Sequence, residues 1–436
     1  MAVGTKVNFA VNEMKIAGVY HHRQAASLPP LALPNRAGVM LPLFLVGFGT
    51  FLNLYAPQPV LPEFRQIFHA NEFQVSLTIS ASILAVALAA TPVGLLADAV
   101  GRKRVIVAAM LGLSIPTFMA ATASNLNHLI GWRFLQGFFI PGIIAVTMAY
   151  ISEESPTNAV GSTMATYVSG TVAGGFVGRF SVGLITPEWG WRMAFALLGV
   201  ATAILGLVAW WLLPRATRFV RHHNARASLQ SLLKHVRNPQ LLATYAVGFN
   251  VLFCLVGAFT YVNFYLADPP FHLGTRALSA IFLIYLVGAL LTPLTGRVLD
   301  KVGCRRVVVA AALAGAVGAL LTLIHWVPLV IVGLTLGACG AFACQSAASS
   351  HVGKAAGQAR SSAAGLYVTF YYLGGCAGSV LPGIIWRHAG WVGCVGLLIG
   401  VQTATAWVAW RLWNESTSTP LPSSAAELFK MLNVEC

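Results

Sequence analysis

Acidic side chains are scarce: only 12 of 436 residues are Asp or Glu, and all of them fall in tails, loops or the ends of apolar runs. The middle of each run therefore lacks the carboxylates that acid–base or metal-assisted chemistry uses. Charge of either sign makes up 9% of the chain against 57% hydrophobic residues. That balance excludes an ordinary soluble domain, whose surface needs far more polar cover. Cysteine is sparse as well. Cys254, Cys304, Cys339, Cys344, Cys376, Cys394 and Cys436 are odd in number, have no metal-ligand spacing and lie mostly inside apolar runs. They read as small packing residues, not as a disulfide frame or a zinc site. The chain has no G-x-x-x-x-G-K-S/T for ATP, no H-E-x-x-H and no clustered histidine in its runs. An enzyme or an ATP-driven pump is therefore unsupported, and no metal or cofactor is expected.

What the chain does have is repeated apolar runs of 18 residues or more, each long enough to cross a bilayer as a helix. Spans are predicted near 38–58, 74–97, 105–124, 128–151, 160–185 and 191–213, then near 240–266, 277–297, 306–325, 328–350, 361–385 and 390–412. This predicts an all-α membrane protein with twelve transmembrane helices in two six-helix bundles, 37–214 and 240–412. A basic linker at 215–239 joins them, and tails at 1–36 and 413–436 flank them. The first tail is mixed and basic without a compact apolar core, so it reads as a cytoplasmic tail and not as a cleaved signal.

The net charge of +15 is parcelled into short segments between the spans. With twelve spans, the tails, the linker and the even-numbered loops hold 21 Lys and Arg, and the other side holds four: Arg65, Arg192, Arg276 and Arg387. That asymmetry predicts cytoplasmic termini in a plasma or inner membrane, and it explains the basic charge without nucleic acid.

One charged seam occurs twice. "GLLADAVGRKRV" (94–105) carries Gly94, Asp98, Gly101, Arg102, Lys103 and Arg104; "GRVLDKVGCRRV" (296–307) carries Gly296, Asp300, Gly303 and Arg306 at an offset of 202. Both close the second span of their half, so the chain reads as an internal duplication. The glycine at each motif's start allows close helix approach, and the later glycine allows a tight reversal. The basic run can pair with Glu153 and Glu154 at the end of span 4, as a latch or as a topology anchor.

These paired motifs resemble the signature of the major facilitator superfamily between its second and third spans, and the resemblance covers about 38–412. It implies two pseudo-symmetric bundles that rock about a central site, with the 98–104 and 300–306 clusters closing the cytoplasmic side. Arg133, Gln136 and Gly137 match a family pattern found in proton-driven members. Arg133 lies about 8 Å inside its span by helix rise, where a guanidinium needs a polar partner or a path to the interface. In span 5, Gly170, Gly174 and Gly178 recur every fourth residue and precede Arg179; Gly374, Gly378 and Pro382 echo them in span 11. The family associates a glycine–proline form of this stretch with exporters, but Gly175 stands where that proline would be. Small-residue packing explains the stripe equally well. Together with "NLYAPQPVLP" (53–62) and "YYLGGCAG" (371–378), it is similar to the arabinose- or drug-type efflux permease branch.

In this fold spans 1, 4, 7 and 10 face the cavity. Their polar residues are Asn53, Tyr55, Gln58, Arg133, Gln136, Asn250, Tyr261, Asn263, Gln345 and Ser346. They form a sparse set of neutral groups and aromatics that suits a medium-sized, partly apolar solute, or serve as helix–helix hydrogen bonds. The expectation is a monomeric, proton-coupled exporter, an antiporter working by alternating access on a small drug- or sugar-like substrate. The alternative is an importer or symporter of a sugar or organic anion. Arginine does not release its proton at useful pH. Proton coupling would then have to use Asp98, Glu153, Glu154, Glu63 or Asp268, or a proton carried by the substrate.

Overall fold

The computed structural model describes residues 36–156, 159–216, 237–355 and 360–413. The predicted tails and most of the 215–239 linker fall outside the described residues, as do the side chains of Asp98 and Asp300 and the surroundings of Gly94. The first half runs α1 (Arg36–Leu54), α2 (Leu61–Ile67), α3 (Glu72–Val100), α4 (Arg102–Ala120), α5 (Leu126–Glu154) and α6 (Val160–Leu212). The second half runs α7 (Pro239–Ala267), α8 (Thr275–Ala280), α9 (Ile284–Val302), α10 (Cys304–Leu321), α11 (Val327–Ala355) and α12 (Arg360–Leu412).

Among the described residues nine helices are long and apolar enough to cross a membrane. Two of them, α6 and α12, are 53 residues long and break at Gly190 and Gly390, whose φ values of 79° and 54° interrupt the helix. Each therefore contributes two passes. α8, a 3-10 turn at Ile281–Leu283 and α9 follow one another as a further apolar helical stretch. The architecture is consistent with the twelve expected.

Local chemistry explains the helix ends. Asn71 and Gln74 form a reciprocal capping box at 2.9 Å each way, and Asn125 caps His128. Asn238 caps α7, with Pro239 in the first turn. Gly101 and Gly303 stand at matching turns with φ of 105° and 91°; each donates its N–H back to its helix, to Ala97 and to Leu299. A side chain there would be strained, so the duplicated glycine makes the same reversal twice.

Leu43, Val46, Ile79, Ile140 and Phe264 are wholly buried, while Trp211 and Leu290 are at least four-fifths exposed. Large exposed hydrophobics on the outside of a bundle suit lipid, not water. Inside, glycines set the spacing. A Cβ on Gly170, Gly174 or Gly178 of α6 would strike the carbonyls of Phe44, Phe48 or Leu52 on α1. Gly374 and Gly378 of α12 meet Phe249 and Phe253 of α7 in the same way. The glycine stripe of span 5 is thus a backbone-to-backbone contact, repeated in the second half.

Candidate functional site

The two arginines inside the apolar helices are both buried and differently partnered. Arg133 of α5 has no exposed surface. Its Nε donates to the Thr78 carbonyl at 3.0 Å, and its Nη1 to the Asn53 carbonyl at 2.9 Å and to Gln136 Oε1; its Nη2 donates to the Leu54 carbonyl. Asn53 and Leu54 end α1, where carbonyls lack intrahelical donors, and the guanidinium supplies them. Four of its five N–H groups are engaged. Ser82 of α3 donates to the Arg133 carbonyl at 2.9 Å, and Gly137 sits against the Ser82 backbone. Arg133, Gln136 and Gly137 thus form one unit, and all of these partners belong to the first half.

Arg179 of α6 lies instead at the seam between halves, only 4% exposed. Its Nε donates to Gln58 Oε1 at 2.7 Å and its Nη1 to the Gly175 carbonyl. Its Cζ lies 4.8 Å from the Tyr55 ring centre and 4.9 Å from those of Phe282 and Tyr285, within cation–π range. Tyr55 and Gln58 come from the turn after α1; Phe282 and Tyr285 come from the second half. Gln58 also reaches across, its Nε2 donating to Thr260 Oγ1 at 3.1 Å. No ion pair joins a carboxylate to Arg133 or Arg179 among the described residues.

Further toward this end of the bundle, Arg65 of α2 forks onto Asp268 through both Nη atoms and holds Glu72 of α3 at 2.8 Å. Arg276 pairs with Glu188 across the same seam, at a more exposed position. Polar contacts found across the seam therefore cluster at the Arg65 end.

The remaining predicted cavity residues have other partners, although Tyr261 packs against Phe264, over whose ring Arg65 lies. Asn53 donates to Gly49 and Thr202; Asn250 donates to Thr405 at 2.8 Å, and Tyr261 to the Ser379 carbonyl at 2.7 Å. Asn263 donates to Phe259, and Gln345 accepts from Tyr367. The bonds to Thr202, Thr405 and Ser379 and that from Tyr367 tie helices within a half, whereas those to Gly49 and Phe259 stay within one helix. Two cavities of about 30 and 20 Å³ flank Gln402 in the second half, each with room for about one water.

At the opposite end, Arg102 forks onto Glu153 at 2.7 and 3.1 Å, joining α4 to α5 within the first half. Glu154 lies beside it, partly buried, while Arg104 and Arg306 are exposed at equivalent positions.

Sequence reasoning missed Glu72, Thr260, Phe282 and Tyr285. Only Arg65 left a signal, as one of the few basic residues on its side.

Residues 43–379 and 269–433 match the family model described as Major Facilitator Superfamily. The chain is similar to the "Inner membrane transport protein YnfM" of Escherichia coli (strain K12), 34% identical over 378 residues, covering 86% of this chain and 89% of the relative. It is also similar to the "Uncharacterized MFS-type transporter YybF" of Bacillus subtilis (strain 168), 30% identical over 367 residues, covering 84% and 91%. Its fold is shared with the crystal structure of the nucleoside transporter NupG, with a TM-score of 0.74 at 16% identity, covering 86% of this chain and all of that one.

Proposed function

Because the chain belongs to the major facilitator superfamily, we propose that it is a secondary active transporter working by alternating access. It exports a small, partly apolar solute in exchange for protons. The observation that carries this reading is the seam. Gln58 with Thr260 and Arg65 with Asp268 join the halves at one end, above a buried cluster of Tyr55, Arg179, Phe282 and Tyr285 contributed by both. A site built from two halves changes access when those halves rock, because the contacts closing one end must part for that end to open. The excess of basic residues on the termini side supports an outward Arg65 end, and on that reading this arrangement is closed to the outside.

Asp268 supports a route for proton coupling. Arg65 is held by two carboxylates, Glu72 from the first half and Asp268 from the second. A proton reaching Asp268 from outside would remove the anion that ties Arg65 across the seam.

Purified protein in liposomes with an imposed pH gradient tests the reading. A solute panel is first chosen by comparing growth inhibition in cells lacking and overproducing the protein. Movement of a solute against its gradient, lost when the pH gradient collapses, supports coupled transport. Movement with the proton flux marks a symporter instead, and conversion into a new compound would overturn the assignment.

A further inference from the structure

The structure holds two membrane-embedded guanidinium groups, and they differ in how many donors they have left. Arg133 has four of five N–H groups on protein oxygens within one half. Arg179 has hydrogen bonds from Nε and Nη1 only; its Nη2 has none among the described residues. A cation buried in a span is costly without a counter-charge. Here the described ion pairs leave it none, and three aromatic rings supply partial compensation. Rings stabilise a guanidinium through its positive charge but accept none of its in-plane N–H bonds. Those bonds fit a carboxylate or a similar oxyanion, often in a forked pair.

The position matters as much as the charge. Arg179 is on the first half, and two of its three rings are on the second. An anion at Nη2 would sit at the seam where alternating access must present a substrate. Gln58 is a neutral amide at 2.7 Å from Nε, so the protein keeps a side chain beside the guanidinium that orients it without neutralising it. We infer that Arg179 is the substrate's charge-recognition residue and that the transported solute is an organic monoanion, an oxyanion group on an apolar or aromatic body. This rests on the transporter reading and names the solute class for that site.

The test uses the full-length protein in detergent and three probes with one apolar body: phenylbutyrate, phenylbutyramide and phenylbutylammonium. Each is added at millimolar concentration, and the temperature of heat-induced precipitation is read. Ligand binding to the folded state raises that temperature by mass action, by about 1–2 °C for a modest affinity. The acid is expected to raise it, and the amide and ammonium are expected to do so less. Arg179→Gln is expected to remove the preference, and Arg179→Lys to keep part of it. Gln58→Glu guards against a variant that fails to fold. It places a carboxylate on Arg179 from within, and is expected to erase the acid preference while the protein without probe becomes no less heat-stable.

Equal protection by amide and acid, no acid protection in the unaltered protein, or an acid preference that survives Gln58→Glu would each overturn the inference. Gradient-driven movement of neutral solutes with no preference for acids would overturn it and leave the transporter reading standing. Acid protection that needs Arg179, without movement of phenylbutyrate under any gradient, would overturn the transporter reading and leave the anion site.

Discussion

Arg65 and Asp268, 203 residues apart in the chain, meet through two hydrogen bonds, one of them 3.0 Å long, across the seam of the two halves. The pair is partly exposed, so its worth is that of a surface ion pair, about 0.2–1 kcal/mol. Asp268→Asn is therefore expected to shift the population toward opening of this end by at most about fivefold. Spin-label distances between α2 and the end of α7 measure it; an unchanged distribution would remove the pair from the closing machinery.

Arg133→Ala is expected to lower thermal stability as well as transport. The substitution leaves the Leu54 carbonyl and Gln136 Oε1 without their donor and takes a second donor from the carbonyls of Asn53, which keeps the Ala56 N–H, and of Thr78, which lies inside its helix. An unpaired buried polar group costs about 1–3 kcal/mol. Arg133→Lys should recover only part of this, since an ammonium cannot reach such spread acceptors. Unfolding midpoints of the purified variants decide it, and a variant as stable as the parent would sink the clasp.

Gly174→Ala and Gly378→Ala are expected to be equivalent lesions, one in each half. The new methyl groups meet the carbonyls of Phe48 and Phe253, which are backbone and cannot rotate away. Overpacking of this kind costs about 1–3 kcal/mol. Gly175→Ala is the control, because its Cβ would meet no backbone, only the side-chain Nη1 of Arg179 at 3.3 Å and Phe51 at 3.8 Å. Folded yield by gel filtration should fall for the first two and hold for the third.

Gly101→Ala and Gly303→Ala should each destabilise the protein by about 1–3 kcal/mol through backbone strain alone, because both positions have positive φ and open space around the missing Cβ at Gly101. Unfolding midpoints read it. Little change at both would mean the turns relax without cost.

The sequence displayed its helices and duplication openly, because lipid forces each pass into an uninterrupted apolar run and the motif at Gly101 recurs at Gly303. It left open whether the glycines of span 5 were packing or function; the carbonyls of α1 account for Gly170, Gly174 and Gly178. The site was harder to read. Arg133 and Arg179 look alike in sequence, as lone cations in apolar runs. What separates them is which half their neighbours come from, and that depends on pairings between helices distant in the chain. Phe282 and Tyr285 are ordinary apolar-span residues until the fold sets them beside Arg179. Thr260 becomes visible only through Gln58.

The clasp of Arg133 on Asn53 and Leu54 has a mechanical consequence. It welds the tip of α1 to α3 and α5, so this tip cannot bend independently when the molecule cycles. Gln58 lies only four residues beyond Leu54, and it grips both Arg179 and Thr260. On the proposed reading of the Arg179 site, movement of the first helix is passed to that grip, which makes α1 a lever whose short arm ends there.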